Sequence, residues 1–220
     1  VAGFPMIAAA QSPAVLRFQG AWPASDVFHE YALDYARRFN EMAGGRARIE
    51  VLSAGAVVKP QELLDAVDKG VLDGCHAMPA YWARKDTALE LFGAGPALGL
   101  DSDLLLSWME YGGGRQLYEE VYARILHRNV TGFLCAPMPA QPLGWFRKPV
   151  ASAGQMKGMR YGASRAAVLL ARELGASVEE VSAGEIAQAA RGGRLDGAAP
   201  GNPSRDRQLD LPAAFPVCML

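Results

Sequence analysis

One pattern of thirteen residues occurs twice in this chain, and it constrains the fold more than any other feature. Residues 62–74 (ELLDAVDKGVLDG) and 185–197 (EIAQAARGGRLDG) lie 123 positions apart and align without a gap, with six identical residues. Each copy predicts a helix that a glycine ends, followed by Leu-Asp-Gly at the entrance of a strand. Two similar α/β units explain this repeat most simply. Chance is the alternative, since Gly and Ala are frequent in the sequence.

The rest of the chain alternates between strand and helix patterns. Period-2 alternation predicts the strands, and apolar residues at helical spacing after a capping residue predict the helices. The predicted strands are 15–19, 46–52, 75–78, 130–136, 159–161 and 178–181. The predicted helices are one from a cap at Ser25 or Asp26 to about Met42, then 60–68, 101–108, 115–126, 163–174 and one begun by a capping box of Ser182 and Glu185. This alternation is typical of parallel sheets covered by helices.

Composition excludes several classes of protein. Half of the residues are apolar, a fifth are charged and the net charge is −1, as in ordinary globular domains. No basic run provides an electrostatic footprint for nucleic acid. No apolar stretch reaches the roughly 18–20 residues that span a bilayer. The three cysteines are widely spaced, which excludes a fold stapled by disulfides.

The N-terminal residues differ from the rest of the chain. The sequence VAGFPMIAAAQSP is apolar and then small, with three consecutive alanines at positions 8–10. This pattern is typical of the end of a secretory signal peptide at its cleavage site, and a frayed apolar terminus is the alternative. We therefore predict a signal-peptide remnant at 1–11 and export of the protein.

The stretch 139–162 contains a candidate anion-binding residue. Arg160 lies between Met159 and Tyr161 in a predicted strand, so alternation points its side chain away from these two neighbours. A guanidinium offers a rigid, planar fork that matches the two oxygens of a carboxylate. The alternative is a surface charge or a salt-bridge partner, the commoner role of an arginine.

Eight segments, spread over nearly the whole chain, carry a family resemblance. They are GAWPAS (20–25), AGGRARIEVLSAG (43–55), QELLDAVDKGVLDG (61–74), AYW (80–82), YGGG (111–114), QPLGWF (141–146), MKGMRYG (156–162) and GEIAQAARGGRLDG (184–197). In this order they resemble the periplasmic solute-binding proteins of TRAP transporters, the DctP-like receptors. AYW, YGGG and GWF together are similar to the branch that binds 2-oxo acids and related small carboxylates.

This resemblance implies a fold and a division of the chain. The fold is the two-lobed α/β architecture of type II periplasmic binding proteins, in which each lobe is a βαβαβ-type sheet with flanking helices. Lobe I is expected at 12–140 and lobe II at 141–199. Residues 200–220 are expected to be a crossing segment or truncated tail, because relatives continue with a long helix that spans both lobes.

The resemblance also implies polar ligand contacts. Arg160 takes the place of the arginine that clamps a substrate carboxylate. Gln141 matches a position whose amide contacts the ligand, although a solvated loop glutamine is an equal alternative. Asn202 resembles, with a gap, an asparagine before proline in sialic-acid-type relatives. Ala199-Pro200 replaces the Glu-Trp that helps to hold a cation in this branch, which argues against metal-bridged binding because hard cations need oxygen ligands. We therefore expect no cofactor.

Aromatic residues are expected to form a wall of the ligand cleft. Tyr81 and Trp82 fit this role, and the Tyr81 hydroxyl can donate one hydrogen bond. Trp145 is a further candidate, but a tryptophan beside Phe146 is more often a core residue.

The function implied by the resemblance is a receptor in the periplasm. It binds a small organic carboxylate, such as a 2-oxo or hydroxy acid, and delivers it to TRAP-type membrane permease subunits for secondary transport. The alternatives are a degenerate or truncated paralogue without transport function, a sensing receptor, or a carboxylate-handling enzyme on the same fold. His29, His76 and His127 are scattered, and no hydrolase or metalloprotease motif accompanies them, so we expect no enzyme. A homodimer is left open.

Overall fold

The computed structural model describes residues 13–92, 100–135, 142–163, 166–180, 183–199, 201 and 203–219. These residues form two compact units, each with its own sheet. The first unit contains the described residues up to Trp82 together with Arg128–Val130, and the second contains Ala83–His127 and the described residues from Thr131 onward. The predicted signal-peptide remnant lies outside the described residues, and the lobe boundaries at 12–140 and 141–199 stay a prediction.

Strands and helices alternate along most of the described chain. The strands are β1 (Ala14–Gly20), β2 (Ala47–Leu52), β3 (Gly74–His76), β4 (Gly144–Phe146), β5 (Arg160–Ala163), β6 (Ser177–Glu180), β7 (Gly197–Ala199) and β8 (Val217–Met219). The helices are α1 (Val27–Ala43), α2 (Leu63–Asp68), α3 (Ser102–Tyr111), α4 (Gly114–Glu120), α5 (Ala166–Glu173), α6 (Ala183–Arg191), α7 (Pro203–Gln208) and α8 (Leu211–Ala214). Short 3₁₀ turns are Pro60–Glu62, Pro79–Trp82, Thr87–Phe92 and Ala153–Met156.

The first unit is built on a parallel sheet with the strand order β2-β1-β3. Helix α1 begins at Asp26, the second of the two predicted caps, whose Oδ1 accepts the Phe28 N–H at 3.0 Å. It ends at Gly44, which takes the left-handed conformation (φ 56°) that closes a helix without a steric penalty. The predicted βαβαβ pattern of this half is thus present.

The second unit is built on a five-stranded sheet with the order β6-β5-β7-β4-β8. Strands β5, β6 and β7 are parallel, whereas β4 runs antiparallel to both β7 and β8. Residues 203–219, which the sequence analysis places in a crossing segment, contribute α7, α8 and β8 to this unit. A core of small and apolar side chains covers the sheet, including Ile186, Leu195, Leu211 and Phe215, all at most 1% exposed.

The two copies of the sequence repeat occupy equivalent places in the two sheets. Each leads from a helix (α2 or α6) into a strand (β3 or β7) that pairs with the central strand of a three-strand parallel set. Gly70 and Gly193, the glycines that follow these helices, have the same φ of 70°. The predicted duplication is therefore present in the backbone.

The Leu-Asp-Gly at the end of each copy has the same physical role in both units. Leu72 is buried, and Asp73 donates its N–H to the Arg17 carbonyl at 3.0 Å while its carboxylate accepts the Arg17 N–H at 2.7 Å. A Cβ on Gly74 would lie 2.5 Å from the ring of Phe18 on the neighbouring strand, so glycine fits best there.

Residues 195–197 repeat the leucine and aspartate contacts, but their glycine faces a ring of β4, on the other side of β7, and not a ring of β5. Leu195 is buried, and Asp196 donates its N–H to the Arg160 carbonyl at 2.8 Å and accepts the Arg160 N–H at 3.1 Å. A Cβ on Gly197 would lie 2.5 Å from the ring of Phe146. The motif thus seats β3 against β1 in the first unit and β7 against β5 in the second.

One predicted strand is wrong. Residues 130–135 of the predicted strand 130–136 form neither helix nor strand, and Ala136 lies outside the described residues. The chain just before them is bound to helix α2: Asp68 accepts the Asn129 N–H at 2.8 Å and pairs with Arg128 at 3.0 Å. The Asn129 N–H bonds this carboxylate and therefore cannot donate to a neighbouring strand. The predicted helix 115–126 is also divided, since α4 continues as a π-helical turn, Val121–Ile125.

Candidate functional site

The carboxyl end of the first parallel sheet brings several aromatic and polar residues together. Ligands of α/β sheets bind at this edge, where strands end and loops begin. Strand β1 ends at Gly20 and β3 at His76, and these two residues face each other in register. Trp22 follows β1, and the 3₁₀ turn Pro79–Trp82 follows β3. The predicted aromatic residues of AYW therefore lie at the edge that suits a ligand.

Trp22 is the centre of this aromatic cluster. Its ring centroid lies 4.7 Å from that of Phe28, 5.7 Å from that of Tyr81 and 6.1 Å from that of His76. Trp22 and Trp82 are buried, whereas Tyr81 is partly exposed. Aromatic surface that excludes water strengthens any hydrogen bond to an anion placed beside it. The ligand-contact roles of Tyr81 and Trp82 stay predictions.

Gln19, the last side chain before Gly20, holds the loop that follows β2. It is fully buried, and its Nε2 donates to the Val58 carbonyl at 2.7 Å. Its Oε1 accepts the N–H groups of Val57 at 2.8 Å and Val58 at 3.1 Å. A buried amide with all these bonds fixes a loop that has no ladder of its own. Sequence reasoning missed this residue, although a polar side chain in an apolar strand was a usable signal.

His76 belongs to this aromatic cluster, and His29 of α1 lies beside Gly20 at the same edge. Within the described ranges, the buried Nδ1 atoms of His29 and His76 and the buried Nε1 of Trp22 have no hydrogen-bond partner. Burial, followed by the charge of His29, lowers the pKa of His76, so both effects favour its neutral imidazole. The sequence analysis treated these histidines as scattered, because nothing in their spacing predicts that they meet.

Arg160 lies at the amino end of the parallel strands of its sheet, the end opposite to the carboxyl edge at which ligands of α/β sheets bind. It is the first residue of β5, and its guanidinium bonds Asp196 with both Nε (3.0 Å) and Nη2 (2.6 Å). Half of the Arg160 side chain is exposed. The hydrogen bond from Arg160 holds the pKa of the Asp196 carboxyl below its usual value. This geometry matches the salt-bridge alternative, and the carboxylate clamp stays a prediction.

Trp145 lies in the core of the second unit. It packs with Ile186 and Leu195, and its Nε1 donates to Asp206 Oδ2 at 2.8 Å. Asp206 is fully buried, so this bond satisfies two groups that water does not reach. The core alternative fits this position, and a role as ligand wall stays a prediction. Gln141 and Asn202 lie outside the described residues.

Two broader features of the described residues bear on function. No helix among them is long and apolar enough to cross a bilayer. Within the same ranges, no three His, Cys, Asp or Glu side chains come close enough to hold a metal ion.

A family model and a curated relative match this chain. The DctP model, of bacterial extracellular solute-binding proteins of family 7, covers residues 18–203. A monocarboxylate 2-oxoacid-binding periplasmic protein of Nostoc sp. is 31% identical over 195 residues, which are 89% of this chain and 52% of that protein. The chain therefore spans about half the length of this relative.

Solved structures share the fold. A TRAP transporter solute-binding protein of Bordetella bronchiseptica, a dimer with calcium and picolinate in one active site, matches with a TM-score of 0.76 at 25% identity over 94% of this chain and 60% of that one. A TRAP solute-binding protein of Colwellia psychrerythraea with calcium and pyruvate matches with a TM-score of 0.78 at 23% identity, over 94% and 62% of the two chains.

These matches confirm the predicted receptor family, its α/β fold and, at the level of the family, the periplasmic location. The matched family and the matched relatives are solute-binding receptors, which at the level of the family favours the receptor prediction over the enzyme alternative. The chain belongs to the DctP family of bacterial extracellular solute-binding proteins, the periplasmic receptors of TRAP transporters.

Proposed function

We propose that this chain binds a small organic carboxylate, such as a 2-oxo or hydroxy acid, and delivers it to a TRAP-type membrane permease. The observation that carries this proposal is the 31% identity to a monocarboxylate 2-oxoacid-binding protein across 89% of the chain. The proposal involves no covalent chemistry. Selectivity comes from pairing the anion with donors and from excluding water around them.

The carboxyl edge of the first sheet supports this proposal physically. Tyr81, which is partly exposed and packs edge-on against the buried Trp22, offers apolar surface for the carbon skeleton of a small acid. The fixed loop after β2, which Gln19 holds, gives this edge a rigid wall. A preformed wall lowers the ordering cost of binding.

The cation that accompanies picolinate and pyruvate in the two solved relatives does not fit the described residues of this chain. Calcium takes six to eight oxygen ligands, of which carboxylates are the strongest. The end of β7 offers the buried methyl group of Ala199 in place of a carboxylate. No cluster of three or more acidic, histidine or cysteine side chains fit for a metal occurs in the described ranges. We therefore propose direct binding without a bridging cation.

Thermal shift and calorimetry test the proposal. The panel contains pyruvate, lactate, a dicarboxylate and an aromatic acid, each beside its neutral amide as the matched control. A ligand that binds the folded state alone raises the unfolding midpoint by mass action, so the carboxylates should raise it and the amides should not. Equal shifts for acids and amides, or no shift for any acid, contradict the proposal. Repeating the titrations with EDTA and with added calcium tests the absence of a bridging cation.

A separate measurement distinguishes a receptor from an enzyme. Each acid that binds is incubated with the protein and followed by NMR for product. Turnover at catalytic protein concentrations contradicts a receptor, whereas unchanged acid agrees with one. Uptake of the labelled acid into vesicles that contain TRAP permease subunits, with and without this receptor, tests the proposed partner.

A further inference from the structure

The loop at residues 53–59 follows β2 at the carboxyl edge of the first sheet and is held by contacts from other elements. It forms neither helix nor strand, and Gly55 at its turn is left-handed (φ 80°) with open space beside it. Surface loops are ordinarily more mobile than the elements they connect, because few of their backbone groups are paired. In this loop most of the backbone N–H groups have acceptors inside the unit.

The side chain of Gln19 is the main anchor of the loop. Gln19 is fully buried in the central strand β1 and lies in register with Leu52, the residue at which β2 ends. Its Oε1 accepts the N–H groups of Val57 at 2.8 Å and Val58 at 3.1 Å, and its Nε2 donates to the Val58 carbonyl at 2.7 Å. One side chain therefore pairs three backbone groups of the loop.

Two further contacts fix the start and the end of the loop. Ala54 donates its N–H to the Trp22 carbonyl at 2.9 Å, which binds the start of the loop to the segment after β1. Lys59 donates its N–H to Glu62 Oε2 at 3.1 Å, which binds the end of the loop to the turn that follows it. With Gln19 between these two contacts, the loop is anchored along its length and has its shape before a ligand binds.

The groups that face Gln19 explain why an amide suits this position. Two of them are N–H donors and one is a carbonyl acceptor, and an amide offers an oxygen with two lone pairs together with an N–H donor. A glutamate would turn an oxygen toward the Val58 carbonyl. A methionine would leave all three groups unpaired where water does not reach, so the loop would lose its anchor.

The second unit shows that the repeat itself does not require an amide here. Phe18 faces the glycine of the first Leu-Asp-Gly in register, and Tyr161 faces the glycine of the second, so the residues that follow them, Gln19 and Gly162, are equivalent. A Cβ on Gly162 would lie 2.7 Å from Leu195 Cδ1, so apolar core fills this place in the second unit. Gln19 therefore has a task that the fold of the repeat does not impose.

We propose that Gln19 is a positioning residue of the ligand site, which holds the loop at 53–59 as a preformed wall and thereby favours small acids over longer ones. This inference rests on the proposed receptor function and adds a determinant of its selectivity. A preformed wall has no ordering cost when a small acid binds, and it does not yield to a longer carbon chain.

Calorimetry with pyruvate, 2-oxobutyrate and 2-oxovalerate tests this role in the wild type and in Gln19→Met, which has a side chain of similar length without an amide. The affinity of the folded variant for pyruvate should fall about tenfold, because ordering even one loop residue on binding has an entropic cost of that order. The affinity for 2-oxovalerate should fall less. A lower stability alone does not change this ratio of affinities, since binding is measured on the folded protein.

Asn40→Leu is the matched control. Asn40 is also an amide that pairs both backbone groups of a distant residue, since its Nδ2 donates to the Ile49 carbonyl at 3.2 Å and its Oδ1 accepts the Ile49 N–H at 2.7 Å. It ties α1 to the middle of β2 and does not touch the loop through these bonds. This variant should lose stability while its affinities and their ratio stay those of the wild type.

Amide exchange, followed by NMR, tests the preformed loop without a variant. The N–H groups of Val57 and Val58 should exchange slowly in the free wild type, and pyruvate should leave their rates unchanged. In Gln19→Met they should exchange fast and slow down when pyruvate binds. Fast exchange of both groups in the free wild type contradicts a preformed wall, and this result holds even if Gln19→Met fails to fold.

The outcomes separate this inference from the proposed function. If the acids bind and Gln19→Met keeps the affinities of the wild type and their ratio, the receptor function stands and the positioning role of Gln19 is wrong. If Gln19→Met and Asn40→Leu weaken pyruvate binding equally, the effect comes from stability and the role is also wrong. If no carboxylate binds the wild type, the proposed function fails and the role of Gln19 in selectivity fails with it.

Discussion

Asp196 binds Arg160 through three hydrogen bonds: its carboxylate accepts from the backbone N–H at 3.1 Å, from Nε at 3.0 Å and from Nη2 at 2.6 Å. The main-chain part of this arrangement recurs in the first unit, where Asp73 accepts the Arg17 N–H at 2.7 Å. A contact that recurs at both copies of an internal repeat belongs to the fold of the repeat. It anchors β3 against β1 in the first unit and β7 against β5 in the second.

The first prediction concerns this pair. Asp196→Ala should lower the melting temperature more than Arg160→Ala, because it also removes the acceptor of the Arg160 backbone N–H. Arg160→Ala should keep the affinity of the wild type for carboxylates, since Asp196 already occupies the guanidinium fork. Calorimetry and thermal melts measure the two effects.

Asp73→Ala is the matched control for this prediction. It removes the equivalent acceptor in the first unit and should lower the melting temperature to a similar extent. A loss of carboxylate affinity in Arg160→Ala, at an unchanged melting temperature, would instead identify Arg160 as the clamp that the family resemblance implies.

The second prediction concerns Trp145 and Asp206. Trp145→Phe keeps most of the apolar volume but removes the N–H that bonds the buried Asp206 carboxylate at 2.8 Å. An unfolding free energy lower by about 1–3 kcal/mol is expected, the typical cost of a buried acceptor that loses its donor. Urea unfolding measures this difference, and carboxylate affinity should stay unchanged because the ring packs in the core.

Phe146→Leu provides the comparison for this variant. It alters the neighbouring buried ring without touching a polar group, so it isolates the packing part of the cost. If Trp145→Phe weakens carboxylate binding while the stability holds, Trp145 is a ligand wall and its placement in the core does not describe its function.

The local signals of the sequence predicted most of the fold. Glycines such as Gly44 and Gly70 end helices where a left-handed residue is needed, and their φ values of 56° and 70° agree with that need. The two Leu-Asp-Gly triplets predicted equivalent strand entrances because each residue of the triplet has a separate physical task. Strand alternation also predicted that Arg160 points away from its neighbours.

Partners distant in sequence could not be predicted in the same way. Arg160 meets Asp196 from 36 positions away, and the alternation of a strand says nothing about what its outward side chains contact. His76 lies beside Gly20 only because β1 and β3 pair in one register, which no local pattern of the sequence fixes. The wrong strand after Arg128 has the same origin, since the carboxylate that takes the Asn129 N–H is Asp68.

The third prediction concerns pH. Asp68 accepts the Asn129 N–H and pairs with Arg128, and these contacts lower the pKa of its carboxyl from 3.8. The folded state therefore prefers the ionised form, and this stabilisation is complete above the unfolded pKa and disappears as the pH falls through the lower, folded pKa. Asp68→Asn should melt at a lower temperature than the wild type at pH 7, and the difference should shrink below about pH 4.

Melts at half-unit pH intervals from 7 to 3 measure this convergence. Glu119→Gln, which neutralises an exposed carboxylate of α4, is the control and should follow the wild type at every pH. A gap between Asp68→Asn and the wild type that stays constant down to pH 3 would show that the carboxylate charge contributes nothing to the docking of Arg128–Val130.

The fourth prediction compares the two equivalent glycines of the repeat. A Cβ on Gly197 meets the ring of Phe146, which is fully buried and fixed, and also lies 3.1 Å from the Trp145 carbonyl. A Cβ on Gly74 meets the outer atoms of the partly exposed Phe18 ring, which has room to move. Gly197→Ala should therefore cost about 1–3 kcal/mol of unfolding free energy, the range for overpacking a core, and Gly74→Ala should cost less.

Phe18→Leu should restore most of the stability that Gly74→Ala loses, because it removes the ring atoms that the new methyl group meets. Urea unfolding of the two single variants and of the double variant gives the coupling free energy directly. If the double variant shows the simple sum of the two single losses, the ring does not explain the glycine. Backbone conformation would not explain it either, since neither Gly74 nor Gly197 has a positive φ, so another contact of the new methyl group would have to carry the cost.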